Sequence, residues 1–538
     1  MQLQFIGADH EVTGSCHYLQ VGSKHILVDC GMEQGGDTYE NESLPVPASK
    51  IDYVFLTHAH IDHSGMLPKL YHDGFRGTIV ATQATALLAD IMLRDSAHIQ
   101  TSEAEYKNKR IKNNGGGEEV EPIYTMEDAM MVVKLISPYS YDRVYQLCEG
   151  VKFRLTDIGH LLGSSSIELW LTEGGVSKKI VFSGDIGNKN QPLLRDPQYT
   201  EEADYVVMES TYGDRLHTEL DNPLNPVTEL ATIIQRTLDR GGSVIIPSFA
   251  VGRTQEILFA IREIKERGWV HGHDGFKVYV DSPLATEATG IFLQCDPSYF
   301  DDDMLAVLRR GINPIWFDGI ELSTSLEDSK AINLNPEPKV IISASGMCDA
   351  GRIRHHLKHN LWKAQNTVLF VGYQSEGTLG RALQDGAKTV NLFNEKIAVN
   401  AEICSLHGTS GHADKNGLIR WITAFEKRPQ IVFINHGDDE ACLSFRDVLR
   451  SEYGLQAEAP YSGTQFDLLT GHMTVYTEGK RIERKSIPGG DARAVAAYNN
   501  LMEAVQALLA LAKSCRGRAN KDLAKFTSQI RSLIDKWQ

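Results

Sequence analysis

No two of the eight cysteines form a CxxC pair; they are scattered singly along the 538 residues. That spacing argues against a disulfide framework and fits reduced thiols in a cytosol. No apolar run is long enough to span a bilayer, which argues against a membrane protein. The opening stretch, MQLQFIGADHEVTGS, has neither a basic region nor an apolar h-region, so no secretory leader is expected. A basic excess is also missing. The formal net charge is -16, so any nucleic-acid binding would need a local basic channel.

The chain is too long for one core, and two or three domains are expected. Up to about Glu209 it reads as short strands and Gly/Asp/Asn turns with few helices, and residues 101–120 read as an exposed polar excursion. From about Asn222 the pattern changes. GGSVIIPSFAVGRTQEILFAIREIKERG, FKVYVDSPLATEATGIF, KVIISASGMCDAGRIRHHL and TVLFVGYQSEGTLGRAL each run strand, Gly/Ser loop, helix. That order is the signature of an α/β fold with a parallel sheet. After Asn400 the first pattern returns, with His-bearing turns, so the middle reads as an inserted domain. From about Pro488 an Ala/Leu-rich helical tail follows.

The densest chemistry is in FLTHAHIDHSG. His58, His60, Asp62 and His63 crowd one turn between a strand expected over Ile51 to Thr57 and a short helix expected over Ser64 to Tyr71. Imidazole and carboxylate are the ligands that hold zinc and similar divalent ions. His58 and His60 alternate by two, so an extended turn points both to one side, while Asp62 and His63 can face a second ion. A lone His pair would read as a turn; four donors in one turn read as a metal site.

Two ions need further ligands from other strand ends. His160 in TDIGHLLGSSS, Asp185 in IVFSGDIG and His436 in FINHGDDE each follow an apolar strand beside glycine. Singly, each reads equally well as an ordinary turn or buried residue. As a set they look like one rim.

These motifs resemble the metallo-β-lactamase superfamily and, within it, the β-CASP nucleases. The resemblance rests on Asp29 in LVDCG, then THAHIDHSG, GHLLGSSS and FSGD, then Glu209 in ESTYGDR, His412 in SGHAD and His436 in INHGD, over roughly residues 1–470. It implies a four-layer αββα fold carrying an inserted α/β β-CASP domain and a helical C-terminal tail. The expected divisions are 1–215 and 396–480 for the two parts of the metallo-β-lactamase domain, 216–395 for the insert and 481–538 for the extension.

The resemblance also implies roles. His58, His60 and His160 would bind one metal, Asp62, His63 and His436 a second, and Asp185 both; Asp29 would support a histidine ligand from behind. The metals would be two Zn2+, with Mn2+ as an alternative. Relatives are RNA-processing nucleases, including the pre-mRNA 3′-end cleavage factor. The implied activity is hydrolysis of single-stranded RNA in the cytoplasm by a hydroxide that two metals activate, leaving 5′-phosphate and 3′-hydroxyl ends. Asp62, Glu209 and His412 would be the catalytic residues, with His412 as general acid tuned by Glu209.

In the insert, helix starts at Ser248, Ser345 to Gly346 and Thr378, with Arg253, Arg352 and Arg381 close behind, suit a phosphate backbone. Between Pro338 and Val390, Lys339, Arg352, Arg354, Lys358, Lys363, Arg381 and Lys388 outnumber Asp349, Glu376 and Asp385. The tail is basic as well, through Lys513, Arg516, Arg518, Lys521, Lys525, Arg531 and Lys536. RNA, the protein body, a second copy in a homodimer and RNA-processing partner proteins are its candidate contacts.

Three rivals share parts of the pattern. A small-molecule hydrolase of the superfamily leaves the insert, Glu209 and His412 unexplained. In the family, DNA nucleases tend to lack the last histidine, so His436 favours RNA. An inactive RNA-binding scaffold would have lost ligands, and every ligand position is filled. Two departures, CGMEQGG after Asp29 and Asp438 where Glu is common, touch no expected ligand. With the catalytic fold starting at Met1, no N-terminal RNA-binding module is expected. Internal and end-directed cutting both stay open.

Overall fold

The computed structural model describes residues 1–482 except 36–37, 114–116, 218–224, 376 and 407–409, and in the tail 501, 504–505, 507–509, 511–512, 514–515 and 519–537. It divides into a large unit, Met1–Arg481, and a tail unit, Ile482–Gln538.

Two sheets of the large unit stack face to face. The first has eight strands, in the order His472–Val475, Gln465–Asp467, Gln2–Gly7, Cys16–Val21, Lys24–Val28, Tyr53–Phe55, Thr78–Thr82 and Ile136–Tyr139. The second has seven, in the order Ala457–Glu458, Ile431–Asn435, Tyr205–Glu209, Val176–Phe182, Ser165–Glu173, Val151–Asp157 and Tyr145–Cys148. Alternation along each strand builds the layers, because successive side chains point to opposite faces. Leu3, Phe5, Ile26, Val28, Phe55 and Val80 of the first sheet meet Phe153, Ile167, Ile180, Phe182, Val207 and Phe433 of the second. Their neighbours face outward. Leu27, Val54, Leu56 and Ile79 pack on helical residues such as Leu67, Leu70 and Leu88. Val181, Val206, Val432 and Ile434 pack on Leu418 and Trp421 of Lys415–Thr423 and on Phe445 and Leu449 of Asp439–Ser451. The result is helix, sheet, sheet, helix.

The third sheet has six strands, all parallel, in the order Ile320–Ser323, Lys277–Asp281, Lys339–Ser343, Val244–Pro247, Thr367–Phe370 and Glu402–Ser405. VIIP, KVIIS and TVLF are fully buried runs, as a sheet covered on both faces requires. Ile257, Leu258 and Ile261 of the Arg253–Glu266 helix cover one face, and Ile353, Leu357 and Leu383 the other. The four strand–loop–helix units read from the sequence all contribute to this sheet. Its last strand, Glu402–Ser405, falls after residue 395.

Two local expectations need correction. Residues 101–113 are not an excursion: they complete the 31-residue helix Gln83–Asn113. They contain no Gly or Pro and are mostly helix formers, and the glycines begin only at Gly115. The helix expected over Ser64 to Tyr71 is two short ones, Ile61–Ser64 and Leu67–His72, divided at Gly65 and Met66. In the tail unit Asn520–Trp537 is helical and carries Lys521, Lys525, Arg531 and Lys536. Lys513, Arg516, Arg518 and Glu376 lie outside the described residues. Among the described residues no helix is long and apolar enough to cross a membrane.

Candidate metal centre

Strand polarity gathers the site. Val176–Phe182, Tyr205–Glu209 and Ile431–Asn435 are mutually parallel, so Asp185, Glu209 and His436 emerge at one edge. Val151–Asp157 runs the same way, two antiparallel steps further on, and delivers His160. Lys24–Val28 and Tyr53–Phe55, parallel in the facing sheet, deliver Asp29 and the His58 to His63 turn. Asp29 (φ 60°) and His436 (φ 47°) both adopt the left-handed backbone region, a cost that non-glycine residues accept mostly where structure or function holds them there. Backbone bonds secure both: Asp29 N–H donates to Phe55 O at 2.8 Å, and His436 N–H to Ala8 O at 2.7 Å.

Seven expected ligands converge into two sets that share one residue. In the first, His58, His60, His160 and Asp185 each offer a ligand atom, all within 4.8 Å of one another. His58 Nε2 lies 3.1 Å from His60 Nδ1, His160 Nε2 lies 3.2 Å from the same atom, and Asp185 Oδ2 stands 3.4 Å from His58 Nε2 and 3.5 Å from His160 Nε2. In the second, His63 Nε2 faces His436 Nε2 at 3.0 Å, with Asp185 Oδ1 3.2 Å from His63 and Asp62 Oδ2 3.6 Å from His436. Asp185 therefore turns one oxygen to each set.

The donor chemistry fits divalent cations. Tetrahedral zinc–nitrogen geometry separates neighbouring ligand atoms by about 3.4 Å, which matches this spacing. Asp185 is buried, and its Oδ1 accepts no hydrogen bond. Such an acceptor is costly unless a cation or proton satisfies it. Burial, then neighbouring imidazoles, pulls His58, His60 and His160 below the usual histidine range, which leaves their lone pairs free for a metal. Burial pulls His63 and His436 the same way, but Asp185 and the other carboxylates outweigh it and push both up. Burial pushes Asp62 up, yet His436 and His63 hold it at about 2.

The far side of most rings is also fixed. His63 Nδ1 bonds Asp29 Oδ2 at 2.8 Å, and Thr57 donates both its N–H and its hydroxyl to Asp29. His58 Nδ1 meets Thr57 Oγ1 at 3.1 Å, His160 Nδ1 donates to Gly411 O at 3.2 Å, and His436 Nδ1 meets Thr211 Oγ1 at 3.2 Å. Such partners set tautomer and ring orientation. Asp29 was expected in this role. Thr57, Thr211 and Gly411 were not, and their only signal is direct adjacency to His58, to Ser210 after Glu209, and to His412.

His412 stands beside the first set. Its ring packs on His160 at 4.4 Å, its Nδ1 is 3.2 Å from Glu209 Oε1, and its Nε2 is 3.9 Å from Asp185 Oδ2. Glu209 is buried and accepts the backbone N–H groups of Ile186 and Thr211. Burial pulls His412 down, but Glu209, with Asp185 and Asp62 beyond, lifts it to about 9. Asp185, Glu209 and His412 are also close enough to hold an ion, though both Glu209 oxygens are already acceptors.

The residues expected to hold phosphate are not gathered in this way. Ser248 is buried and bonds Phe249 O. Arg253 pairs with Glu256. Arg352 donates to Asp281 Oδ1 at 2.6 Å and to the Ser323 and Thr324 carbonyls. Arg381 pairs with Asp385 at 2.9 Å, and Thr378 caps the short Leu379–Gln384 helix. Ser345 closes a turn by accepting Cys348 N–H, and the Phe249 ring covers Gly346.

Three family descriptions match along the chain: Metallo-beta-lactamase superfamily over residues 11–240, Beta-Casp domain over 254–383, and Zn-dependent metallo-hydrolase RNA specificity domain over 396–460. Ribonuclease TTHA0252 of Thermus thermophilus is 35% identical over 452 residues, 84% of this chain and 96% of that protein. The chain belongs to the Beta-Casp branch of the metallo-β-lactamase superfamily. Transcription termination factor FttA of Methanocaldococcus jannaschii, 31% identical, matches 86% of this Beta-Casp chain and 70% of its own length. FttA of Methanosarcina mazei is 30% identical, over 84% and 69%. The superfamily's metallo-hydrolase character accords with the His/Asp clusters, which suit a metal site.

Proposed function

We propose that this chain is a metal-dependent ribonuclease that hydrolyses single-stranded RNA to 5′-phosphate and 3′-hydroxyl products, in RNA processing or decay. One observation carries the reading: Asp185 faces the first ligand set through Oδ2 and the second through Oδ1, with His412 and Glu209 beside them. The relatives named ribonuclease and transcription termination factor support RNA as the polymer.

His58, His60, His160 and Asp185 would hold one Zn2+, and Asp62, His63 and His436 with Asp185 the other, with Mn2+ as the alternative occupant. Ions so placed supply Lewis acidity to a water and to the phosphoryl oxygens. The chain's own groups do the rest. Asp185 fixes the spacing of the two sets. Asp29 and Thr211 keep the His63 and His436 rings turned inward. The attacking water oxygen bonds to phosphorus as one of its protons passes to bulk water, and the bond from phosphorus to the 3′ oxygen breaks. His412 Nε2 gives its proton to that leaving oxygen, while Glu209 steadies the ring through Nδ1. Backbone binding by Arg253 and Arg352 is not part of this reading, because Glu256 and Asp281 engage them.

The test is cleavage of end-labelled single-stranded RNA, with matched DNA alongside, and mapping of the product ends. Cleavage of RNA over DNA with 5′-phosphate ends supports the reading. Two bound metals without cleavage of either polymer would turn it toward a small-molecule hydrolase.

A further inference from the structure

Two large aromatic side chains stand exposed at the carboxyl ends of neighbouring strands in the six-stranded sheet. Phe249 follows Val244–Pro247 and is 46% exposed; Tyr373 follows Thr367–Phe370 and is 51% exposed. These two strands are hydrogen-bonded neighbours, so the loops lie side by side. The third loop, after Lys339–Ser343, completes the platform. A Cβ on Gly346 would lie 3.1 Å from the Phe249 ring, and one on Gly372 would lie 3.9 Å from it. Gly346 thus makes room for the ring, while Gly372 lies at ordinary contact distance from it and immediately precedes Tyr373.

The loops are tied together from below. Gln374, buried, donates its amide to the carbonyls of Gly346, Gly372 and Tyr373 at 3.0–3.3 Å. One side chain thereby joins two of the loops.

The platform adjoins the reaction centre. A Cβ on Gly252, three residues after Phe249, would lie 3.2 Å from Leu161 Cδ1, and Leu161 follows the ligand His160. On the other side the Tyr373 phenol lies within electrostatic reach of Tyr212 and Arg215, and the Tyr212 ring is 6.1 Å from that of His412. Leu161 and Tyr212 thus place the loops of Phe249 and Tyr373 beside the His160 and His412 end of the site.

Exposed rings at a mouth lead water to wet apolar surface that the core could have used. A polynucleotide gives them a partner: every base has a π-face, and stacking is tolerant of sequence. We propose that Phe249 and Tyr373 form a stacking clamp for a nucleobase of the RNA strand entering the centre. This rests on the ribonuclease reading, and it assigns a single-stranded, base-bearing substrate without base identity. A duplex, whose bases are already stacked, does not fit the clamp.

The test measures binding in the His412→Ala protein to single-stranded RNA carrying 2-aminopurine and to an abasic oligomer of equal length. Phe249→Leu and Tyr373→Leu, which keep bulk but lose the π-face, are expected to weaken RNA binding by about 5- to 150-fold each and to reduce the 2-aminopurine quench. Abasic binding is expected to stay unchanged. Phe249→Tyr and Tyr373→Phe are expected to restore binding, which separates stacking from a folding defect. Unchanged RNA affinity in both Leu variants, or equal losses for RNA and abasic oligomer, overturns the clamp alone. If the His412→Ala protein binds no RNA at all, the ribonuclease reading falls first and the clamp with it.

Discussion

His412 Nδ1 stands 3.2 Å from Glu209 Oε1, and that buried carboxylate is itself held by the Ile186 and Thr211 N–H groups. The pair is built to orient one ring, leaving His412 Nε2 toward Asp185 and the centre. It lies beside the set formed by His58, His60, His160 and Asp185, and the proposed function gives it a proton rather than an ion to hold.

Removing the pair should therefore separate chemistry from metal content. His412→Ala is expected to keep its metal and lose about 10²- to 10⁴-fold in rate, the range of one general acid. Glu209→Gln should lose less, because the ring stays but its orientation weakens. Metal analysis beside single-turnover cleavage reads both. A metal-depleted His412→Ala protein would place that histidine among the ligands instead.

Asp29 lies 2.8 Å from His63 Nδ1 and, in the proposed site, acts through it. Asp29→Asn keeps the shape but exchanges a carboxylate for an amide. Metal affinity is expected to fall about 10- to 100-fold, read by competition with a chelator. His63→Ala, which removes the ligand itself, should lose both metal and activity.

Sequence legibility followed local density. His58, His60, Asp62 and His63 declare themselves because four donors fall in one turn. His160, Asp185 and His436 lie far apart and were ordinary turn residues until the family pattern joined them; parallel strand ends then bring them to one edge. Arg352 is the opposite case. Its charge suggests RNA, while the structure pairs it with Asp281, 71 residues away, and nothing local announces that pair. Nothing local in the sequence marks Phe249 and Tyr373 as exposed, since an aromatic after an apolar strand usually belongs to the core. Residues 101–113 are polar enough to suggest a loop, yet only the Gly run after Asn113 breaks the helix.

Asp281 also carries a pH signature. Burial pushes its carboxyl up, but His356, Ser329 and Arg352 outweigh burial and hold it at about 2, below the unfolded value of 3.8. A depressed folded pKa means the stabilisation is present above pH 3.8 and is lost as pH falls from there through 2. Asp281→Asn is expected to be less stable at pH 7 by about 2 kcal/mol, with the gap to the parent closing between pH 4 and 2. Denaturation midpoints across that range read it. A gap that stays constant would deny the ionic role.

Asp185 presents Oδ2 to one ligand set and Oδ1 to the other, so its loss should disable both at once. Asp185→Asn is expected to bind less than half of the parent's metal. Losing one ion cleanly while holding the other at full affinity would mean that the two sets do not share it.

The central claim is that these two ligand sets cut RNA. The most direct measurement is cleavage of a 5′-labelled single-stranded RNA by the purified chain, after chelation and again after divalent metal is restored. The account predicts that cutting stops with the chelator, returns with Zn2+ or Mn2+, and leaves 5′-phosphate ends. Cutting that survives chelation undiminished, or that persists in Asp185→Asn, would contradict it.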